Sequence, residues 1–375
     1  MGRRPKRGQE FVTGIDDSGG HAALFEPNGK RIVSPNQPLV GVASVSVSRP
    51  LLGAFERAWD RLRARIQSEL GLAEPPPIHV RWMWGAKRAD PHKNPYLHAS
   101  QEQVAEWLAE AVKILVHFQG QRYQFGILAE FYPRAHMQDL LEPFYSDAST
   151  RVEHIYLASR LVPKDLYRIY HRATMYPLLR TMPYLFWQLD ASIKNIGGKS
   201  TSIVMDAFTG TEGVEAPEVL RATQDLAQLT RLDRMAVVDN YADSALVQAA
   251  DVIAWSYNRV ATQGLSDTQD MPFLKVFGPI LRAGRSLAGT TLDQRIAKPQ
   301  GTSSTTLCIV YSLARGAIEK QWPDFVEENF VDVDEFHKRA QAAYDVRGYG
   351  ISVLTESAKA RAQEYVATRN DRAAV

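Results

Sequence analysis

The chain has 375 residues, of which 45% are hydrophobic and 10% aromatic, enough for a large buried core. Its net charge of +2, from 44 basic and 42 acidic side chains, excludes a polybasic surface over the whole chain, so any nucleic-acid interface must be local. A single cysteine excludes an internal disulfide, and we expect a cytoplasmic protein without a membrane partner, because neither a membrane-length apolar run nor a secretory signal is found.

The first third of the chain predicts strands joined by short turns, with two helices among them. The predicted order is a disordered basic tail at 1–10, a strand at 11–16, a hairpin of 22–27 with 30–33, a strand at 41–48, helices at 48–70 and 100–118, and a strand at 123–132. Asn28-Gly29 suits the positive φ values of a two-residue hairpin turn. Ser100 and Gln103 have the spacing of a capping box. The short turns indicate antiparallel pairing of the early strands.

The rest of the chain alternates helical and extended patterns. The predicted elements are a mostly helical insertion at 133–198, a strand at 202–206, a helix at 216–229, a strand at 235–239, helices at 244–260 and 270–288, a strand at 305–313, and helices at 334–345 and 355–369. This order predicts an α/β fold, in which a mixed sheet is covered by helices on both faces. We expect a core at 11–262 that contains the insertion, followed by a helical C-terminal extension at 263–375.

Four aspartates stand where a metal site is expected. Asp16 and Asp17 close the first strand, and Asp206 closes the strand at 202–206. Asp251 lies inside a strongly apolar helix, where an unpaired carboxylate would cost several kcal/mol. Strand ends at one edge of an α/β sheet commonly form ligand sites. We therefore expect these carboxylates to converge and bind Mg²⁺ or Mn²⁺, which prefer hard oxygen ligands.

Each acid also has a structural interpretation. Asp16 and Asp17 can form an Asx-turn, Asp206 can cap the loop that follows it, and Asp251 can pair with an arginine. The alternation of side chains along a strand does not decide whether Asp16 or Asp17 faces the site. The joint occurrence of the four aspartates, and not any one of them, therefore indicates a metal site.

Two segments combine basic and aromatic side chains, as surfaces that hold nucleic acid often do. The first is 81–93, which contains Trp82 and Trp84, and the second is 151–199, which has eight basic and three acidic residues. The candidate contacts to nucleic acid are Arg81, Lys87, Arg88, Arg168 and Arg172. The alternative for both segments is a solvated helix face over an aromatic core.

Motifs for several other chemistries are missing from the sequence. It contains no GxxxxGK[ST] phosphate loop, no cysteine pair and no HExxH zinc motif. Cys308 has no evident catalytic neighbour, so a buried packing role is expected for it.

Two motifs at the ends of the core resemble those of a known family. IDDSG at 15–19 is similar to the IDESG opening of the family called domain of unknown function 3800. ADSALVQAADVIAWSYNRV at 242–260 resembles its closing segment, a DS pair before a QLADLIA-type helix. PIH at 77–79 lies where the family has an acid-x-His-Ala segment, and SIVMD resembles its later strand that ends in Asp. The resemblance extends over about residues 11–262.

This family is similar to ribonuclease H-like nucleases, and its members often occur among phage-defence or mobile-element genes. The resemblance implies a ribonuclease H-like sheet, with three antiparallel strands and then parallel strands. It also implies metal ligands at Asp16 and Asp251, with Asp206 as the third. Asp243 and Ser244 are implied to position the last helix.

The chain departs from the family pattern at two positions. Asp17 replaces the family's Glu and is one methylene shorter, which favours a metal contact through water. Pro77 replaces the acid before His79, so we expect His79 to be a structural histidine. In addition, Glu130 competes with Asp206 for the third ligand, because a ribonuclease H-like sheet usually takes its middle acid from the strand beside the first.

The sequence therefore predicts a metal-dependent nuclease that hydrolyses phosphodiester bonds of DNA or RNA. One alternative is a non-catalytic binding or scaffold protein with the same fold in a defence or mobile-element complex. Another is a hydrolase of nucleotides or other small phosphate esters. The C-terminal extension is a candidate surface for a protein partner or for a second copy of the chain.

Overall fold

The described part of the chain forms one mixed sheet between two layers of helices. A computed structural model describes residues 8–18, 23–26, 28–33, 38–84, 94–207, 214–238, 240–263, 271–287, 304–345 and 351–373. The mixed sheet and its covering helices confirm the predicted α/β class. Most of the predicted disordered tail lies outside these residues. None of the helices within them is long and apolar enough to span a membrane.

The sheet has five strands. They are β1 (Glu10–Ser18), β2 (Leu39–Ser48), β3 (Phe125–Pro133), β4 (Ser200–Asp206) and β5 (Leu232–Val238). Their spatial order is β3-β2-β1-β4-β5. The pairs β1–β2 and β2–β3 are antiparallel, whereas β1–β4 and β4–β5 are parallel. All ten residues of β2 are buried, as expected for a strand that is covered on both faces.

Helices from distant parts of the chain cover each face. The first layer consists of α1 (Arg49–Leu70), α2 (Val80–Trp84), α3 (Gln101–Gln119), α9 (Ala245–Gln263) and α10 (Met271–Ala283). The second layer consists of α5 (Ala148–Leu157), α6 (Leu166–Met175), α7 (Pro177–Asn195), α8 (Ala216–Ala227), α11 (Ser304–Glu319), α12 (Pro323–Asn329), α13 (Val333–Asp345) and α14 (Glu356–Ala373). The remaining helix, α4 (Arg134–Ser146), packs against β3 and α5.

Local signals in the sequence predicted several helix ends correctly. Ser100 and Gln103 form the predicted capping box at the start of α3. Gly71 ends α1 in the left-handed region, with φ of +65°. Ser48 occupies the N-cap position of α1, although its side chain makes no capping hydrogen bond. Two short helices, α2 and α12, were not predicted, because one or two turns give too little periodicity to detect.

One predicted strand was wrong. The segment 305–313 lies inside α11, where tertiary packing overrides the strand preference of its β-branched residues.

The described residues of the predicted hairpin at 22–33 pair with each other. Phe25 and Arg31 form an antiparallel bridge, the Glu26 N–H donates to the Lys30 carbonyl, and the Ile32 N–H donates to the Leu24 carbonyl. The hairpin is held outside the five-stranded sheet, since the Leu24 N–H donates to the Met175 carbonyl and the Gln138 amide donates to the Leu24 carbonyl.

The C-terminal region packs into both layers. Helix α10 lies against α3, and α11 lies against α6, α8 and α13. The Arg285 carbonyl accepts a hydrogen bond from the Ile127 N–H, so the segment after α10 covers part of the outer edge of β3. The predicted helical extension thus completes the same core that the earlier helices begin.

Helix α9 passes close to the backbone of β1 at Gly14. A Cβ atom at this position would lie 2.3 Å from the backbone carbon of Leu246, near the start of α9. Backbone cannot move aside as a flexible side chain can, so only glycine allows this approach.

We therefore expect Gly14→Ala to lower the free energy of unfolding by about 2 to 3 kcal/mol, as overpacking a core commonly does. Chemical denaturation measures this change. Gly316→Ala, at a helical position with open space, is the matched control and should be neutral or slightly stabilising. Equal stability of Gly14→Ala and the wild type would contradict the close approach.

Glu153 is a buried carboxyl that links α5 to the C-terminal region. It accepts hydrogen bonds from the Ser352 hydroxyl and from the Val353 N–H. Burial raises the pKa of Glu153 from its ordinary value of 4.5 to about 7, and the two hydrogen bonds offset only part of this shift. Folding therefore favours the protonated carboxyl.

The stability that protonated Glu153 contributes is fully present below pH 4.5 and is lost as the pH rises through about 7. Glu153→Gln keeps a polar side chain that cannot ionise. We expect the free energy of unfolding of the variant, minus that of the wild type, to rise over this window by up to about 3 kcal/mol. Denaturation of both proteins at several pH values measures this difference. Because both proteins contain the neighbouring His154, the effect of its titration cancels in the difference. A constant difference would contradict the raised pKa.

Candidate functional site

The start of α9 is fixed by a capped turn. Tyr241–Asp243 forms a single 3-10 turn, in which the Asp243 N–H donates to the Asn240 carbonyl. The Ser244 hydroxyl then accepts a hydrogen bond from the Val247 N–H at 3.2 Å, as an N-cap residue does. This geometry agrees with the implied role of Ser244 in positioning the helix, whereas the implied role of the Asp243 side chain stays a prediction.

Gln248 connects α9 to two loops at the carboxyl end of β1. It is fully buried. Its Oε1 accepts hydrogen bonds from the Trp59 indole at 3.1 Å and from the Ile78 N–H at 2.8 Å. Its Nε2 donates to the carbonyls of Tyr241 and Ala242. One side chain therefore fixes both the segment before α2 and the turn before α9.

Asp251 lies one turn further along α9 and binds the same segment before α2. Its Oδ2 accepts hydrogen bonds from the Val80 N–H at 2.7 Å and from Nδ1 of His79 at 3.1 Å. The Asp251 side chain is only 7% exposed. Among the described residues, the only ion pair of this carboxylate is with His79. Two donors stabilise its charge.

The register of the sheet decides which of the two adjacent aspartates faces α9. Asp16 pairs with Ala43, whose side chain belongs to the cluster that contains α9. Asp17 pairs with Val42, which belongs to the cluster on the opposite face. Directly paired residues project to the same face of a sheet, so Asp16 lies on the side of Asp251 and Asp17 lies on the other side.

Asp206 joins Asp16 on the same face. The parallel register pairs Ile15 with Met205, and both of these side chains belong to the opposite cluster. The residues that follow them, Asp16 and Asp206, therefore both point toward α9 from the ends of neighbouring strands. Asp206 also caps the chain locally, because its Oδ1 accepts a hydrogen bond from the Ala207 N–H at 2.8 Å.

The carboxylates interact electrostatically. Burial, followed by the negative charges of Asp251, Asp17 and Asp206, holds the pKa of Asp16 well above its ordinary range. Burial and the charges of Asp251, Asp16 and Asp206 likewise raise the pKa of Tyr241. The Tyr241 hydroxyl is buried and makes no hydrogen bond of normal geometry to a described residue. Three carboxylates and one phenol thus surround a region with an excess of negative charge.

Glu130 does not join this group. It pairs in register with Val42, next to Asp17, and so it lies on the opposite face. There it accepts hydrogen bonds from the Gln188 amide and from the Tyr132 hydroxyl. Burial raises the pKa of Glu130. Between the two candidates for the third position beside Asp16 and Asp251, the geometry thus favours Asp206.

His79 lies at the site, next to one of the expected metal ligands. Its ring is held by Asp251 and contacts the rings of Trp82 and Tyr241, with centroid distances of 4.9 and 5.1 Å. A histidine bound in this way is compatible with the structural role expected from the sequence, although its partner could not be predicted. The contact depends on α9, which comes some 170 residues later in the chain.

The candidate basic residues are dispersed. Arg81 is exposed on α2, two residues after His79. Lys87 and Arg88 lie outside the described residues. Arg168 is exposed and pairs with Asp165, the N-cap residue of its helix, at 3.5 Å, and Arg172 is partly buried in α6. Arg81 is the candidate that follows His79 closely in the chain, and His79 contacts Asp251.

Within the described residues, no group of three or more His, Cys, Asp or Glu side chains has the spacing of a formed metal site. No protein-family model, curated protein or solved structure matches the chain. The resemblance to domain of unknown function 3800 therefore stays a prediction from the motifs. The site must be interpreted from its own geometry.

The role of Gln248 generates a prediction. Gln248→Leu keeps the volume of the side chain but leaves the Ile78 N–H and the Trp59 indole N–H buried without an acceptor. We expect the free energy of unfolding to fall by about 2 to 4 kcal/mol, because each unsatisfied buried donor costs about 1 to 3 kcal/mol. Chemical denaturation measures the loss.

Gln341→Leu is the control for this change, because Gln341 is exposed on α13. It should alter the free energy of unfolding by less than about 0.5 kcal/mol. Equal effects of the two substitutions would show that Gln248 does not fix the loops.

Proposed function

We propose that this protein is a metal-dependent nuclease, in which Asp16, Asp206 and Asp251 hold Mg²⁺ or Mn²⁺. The observation that carries the proposal is the placement of the three carboxylates on one face, at the ends of two central strands and on the helix that covers them. The strands and the helix come from distant parts of the chain. Their placement on one face is therefore a property of the fold and not of any local motif.

The sheet supports a ribonuclease H-like fold for this site. Three antiparallel strands are followed by two parallel strands, which is the arrangement that the family resemblance implies. The first strand is central and supplies Asp16, and its parallel neighbour supplies Asp206. Ligand sites in α/β sheets commonly lie at the carboxyl ends of such strands.

The donor set fits a hard divalent cation. All three side chains offer carboxylate oxygens, which Mg²⁺ and Mn²⁺ prefer. Burial and the charges of the neighbouring carboxylates raise the pKa of Asp16, and a bound cation would stabilise its ionised form. When bound, such ions activate a water molecule and stabilise the leaving oxygen of a phosphodiester.

The surrounding side chains have separate roles in this proposal. The hydrogen bonds from Val80 and His79 hold Asp251 in one orientation. The exposed Arg81 is available to bind a phosphate of the substrate backbone. A nucleic acid has such phosphates at regular spacing, whereas a mononucleotide would contact only the proposed metal site.

The aspartates themselves provide the test. We expect Asp16→Asn, Asp206→Asn and Asp251→Asn each to lower the rate of cleavage of labelled DNA or RNA by about 100-fold or more, because each removes one charged metal ligand. Asp17→Asn is the matched control. It changes the adjacent residue on the opposite face and should keep most of the activity.

The assay uses single-stranded and double-stranded DNA and RNA, with Mg²⁺, Mn²⁺ or EDTA. Cleavage that depends on the metal and is lost in the three variants supports the nuclease. Tight binding without cleavage would instead indicate a scaffold protein, and turnover of mononucleotides alone would indicate a hydrolase of small phosphate esters. Equal losses in Asp16→Asn and Asp17→Asn would contradict the assignment of faces.

A further inference from the structure

Three rings lie together beside the carboxylates. His79 is the middle ring, because it contacts both Trp82 and Tyr241, at interplanar angles of 37° and 36°. Trp82 follows His79 by three residues, and its backbone N–H donates to the His79 carbonyl at 3.0 Å at the start of α2. We refer to His79, Trp82 and Tyr241 as the ring platform.

The ring platform is accessible and held in place. The His79 side chain is 25% exposed, and Trp82 and Tyr241 are also partly exposed. The hydrogen bond from His79 to Asp251 fixes the middle ring directly against one proposed metal ligand. A flat group that stacked on these rings would therefore lie next to Asp251, one of the proposed metal ligands.

The second tryptophan of the same helix shows the contrast. Trp84 packs against Trp255 and Phe277, with centroid distances of 6.0 and 5.7 Å. Both of these partners belong to the layer of α9 and α10. Both tryptophans are partly buried against the same core cluster, and of the two it is Trp82 whose ring contacts His79.

We propose that the ring platform stacks an unpaired base, and that the substrate is accordingly single-stranded nucleic acid. This inference rests on the proposed nuclease function. Bases stack on aromatic side chains with little regard to sequence, since every base has a flat face. In a duplex, each internal base is already covered on both faces by its neighbours, so it must leave the stack before it can reach the rings. Arg81, exposed on the same helix, is placed to hold a backbone phosphate of that strand.

The test is binding, measured in EDTA so that no cleavage occurs. Labelled single-stranded DNA, single-stranded RNA and a blunt duplex are titrated with the wild type and with Trp82→Ala, Trp82→Phe and Trp187→Ala. Trp187 is 58% exposed on α7, in the other layer of the molecule, so its variant controls for the general loss of an exposed tryptophan.

We expect the wild type to bind single strands more tightly than the duplex. Trp82→Ala should raise the dissociation constant for single strands by about 10-fold, the size expected for one stacked base. Trp82→Phe, which keeps a stacking ring, should retain most of the affinity, and Trp187→Ala should not change it. Comparison of the two single strands shows whether DNA or RNA is preferred.

The inference is overturned if the duplex binds as tightly as the single strands, or if Trp82→Ala weakens both equally. Should Trp82→Ala fail to fold, Trp82→Leu, which keeps apolar volume without a ring, takes its place against Trp82→Phe. Cleavage without any preference for single strands would contradict only the proposed stacking of a base on the ring platform. Binding of single strands without cleavage under any metal would contradict only the proposed nuclease activity.

Discussion

The close approach of α9 to β1 at Gly14 is the constraint on which the site depends. Gly14 lies two residues before Asp16, on the same face of the strand, because it pairs with Val45 of the α9 cluster. A side chain at this position would hold the helix away from the sheet. Asp251 comes five residues after Leu246, the residue that contacts Gly14. The distance between helix and strand is thus set directly beside the proposed ligands.

Helix α9 in turn fixes loops that have little structure of their own. The segment before α2 is held by backbone hydrogen bonds to two side chains of α9, from Ile78 to Gln248 and from Val80 to Asp251. Loss of either bond would destabilise the fold, because it would leave a buried N–H without an acceptor. Gln248 and Asp251 thus serve the same purpose in the apolar helix α9. Their hydrogen bonds hold residues 77–79, which have no regular secondary structure, and the first residue of α2.

Features encoded by neighbouring residues could be predicted, and features encoded by pairing could not. The capping box at Ser100 and the apolar pattern of α9 depend on residues within one or two turns, and the structure has both. The choice between Asp16 and Asp17 needed the register of β1 against β2, which no local pattern gives. The position of His79 needed a contact with Asp251 across the chain. The strand predicted at 305–313 failed for the same reason, because packing against other helices decides the structure of a β-branched segment.

The three carboxylates also differ in how firmly they are held, and this difference suits the proposed chemistry. Asp251 accepts two hydrogen bonds from another part of the chain, to one oxygen. Asp16 and Asp206, at equivalent ends of parallel strands, each accept one from the residue that follows, Asp17 and Ala207. Asp251 is thus the ligand held by two donors, and each of the three carboxylates keeps one oxygen without a described hydrogen bond to protein. Burial, together with the neighbouring negative charges, raises the pKa of Asp16, so keeping its carboxylate charged in the folded chain costs free energy. Such a cost is typical of groups placed for binding or catalysis, because a purely structural site would be arranged to avoid it.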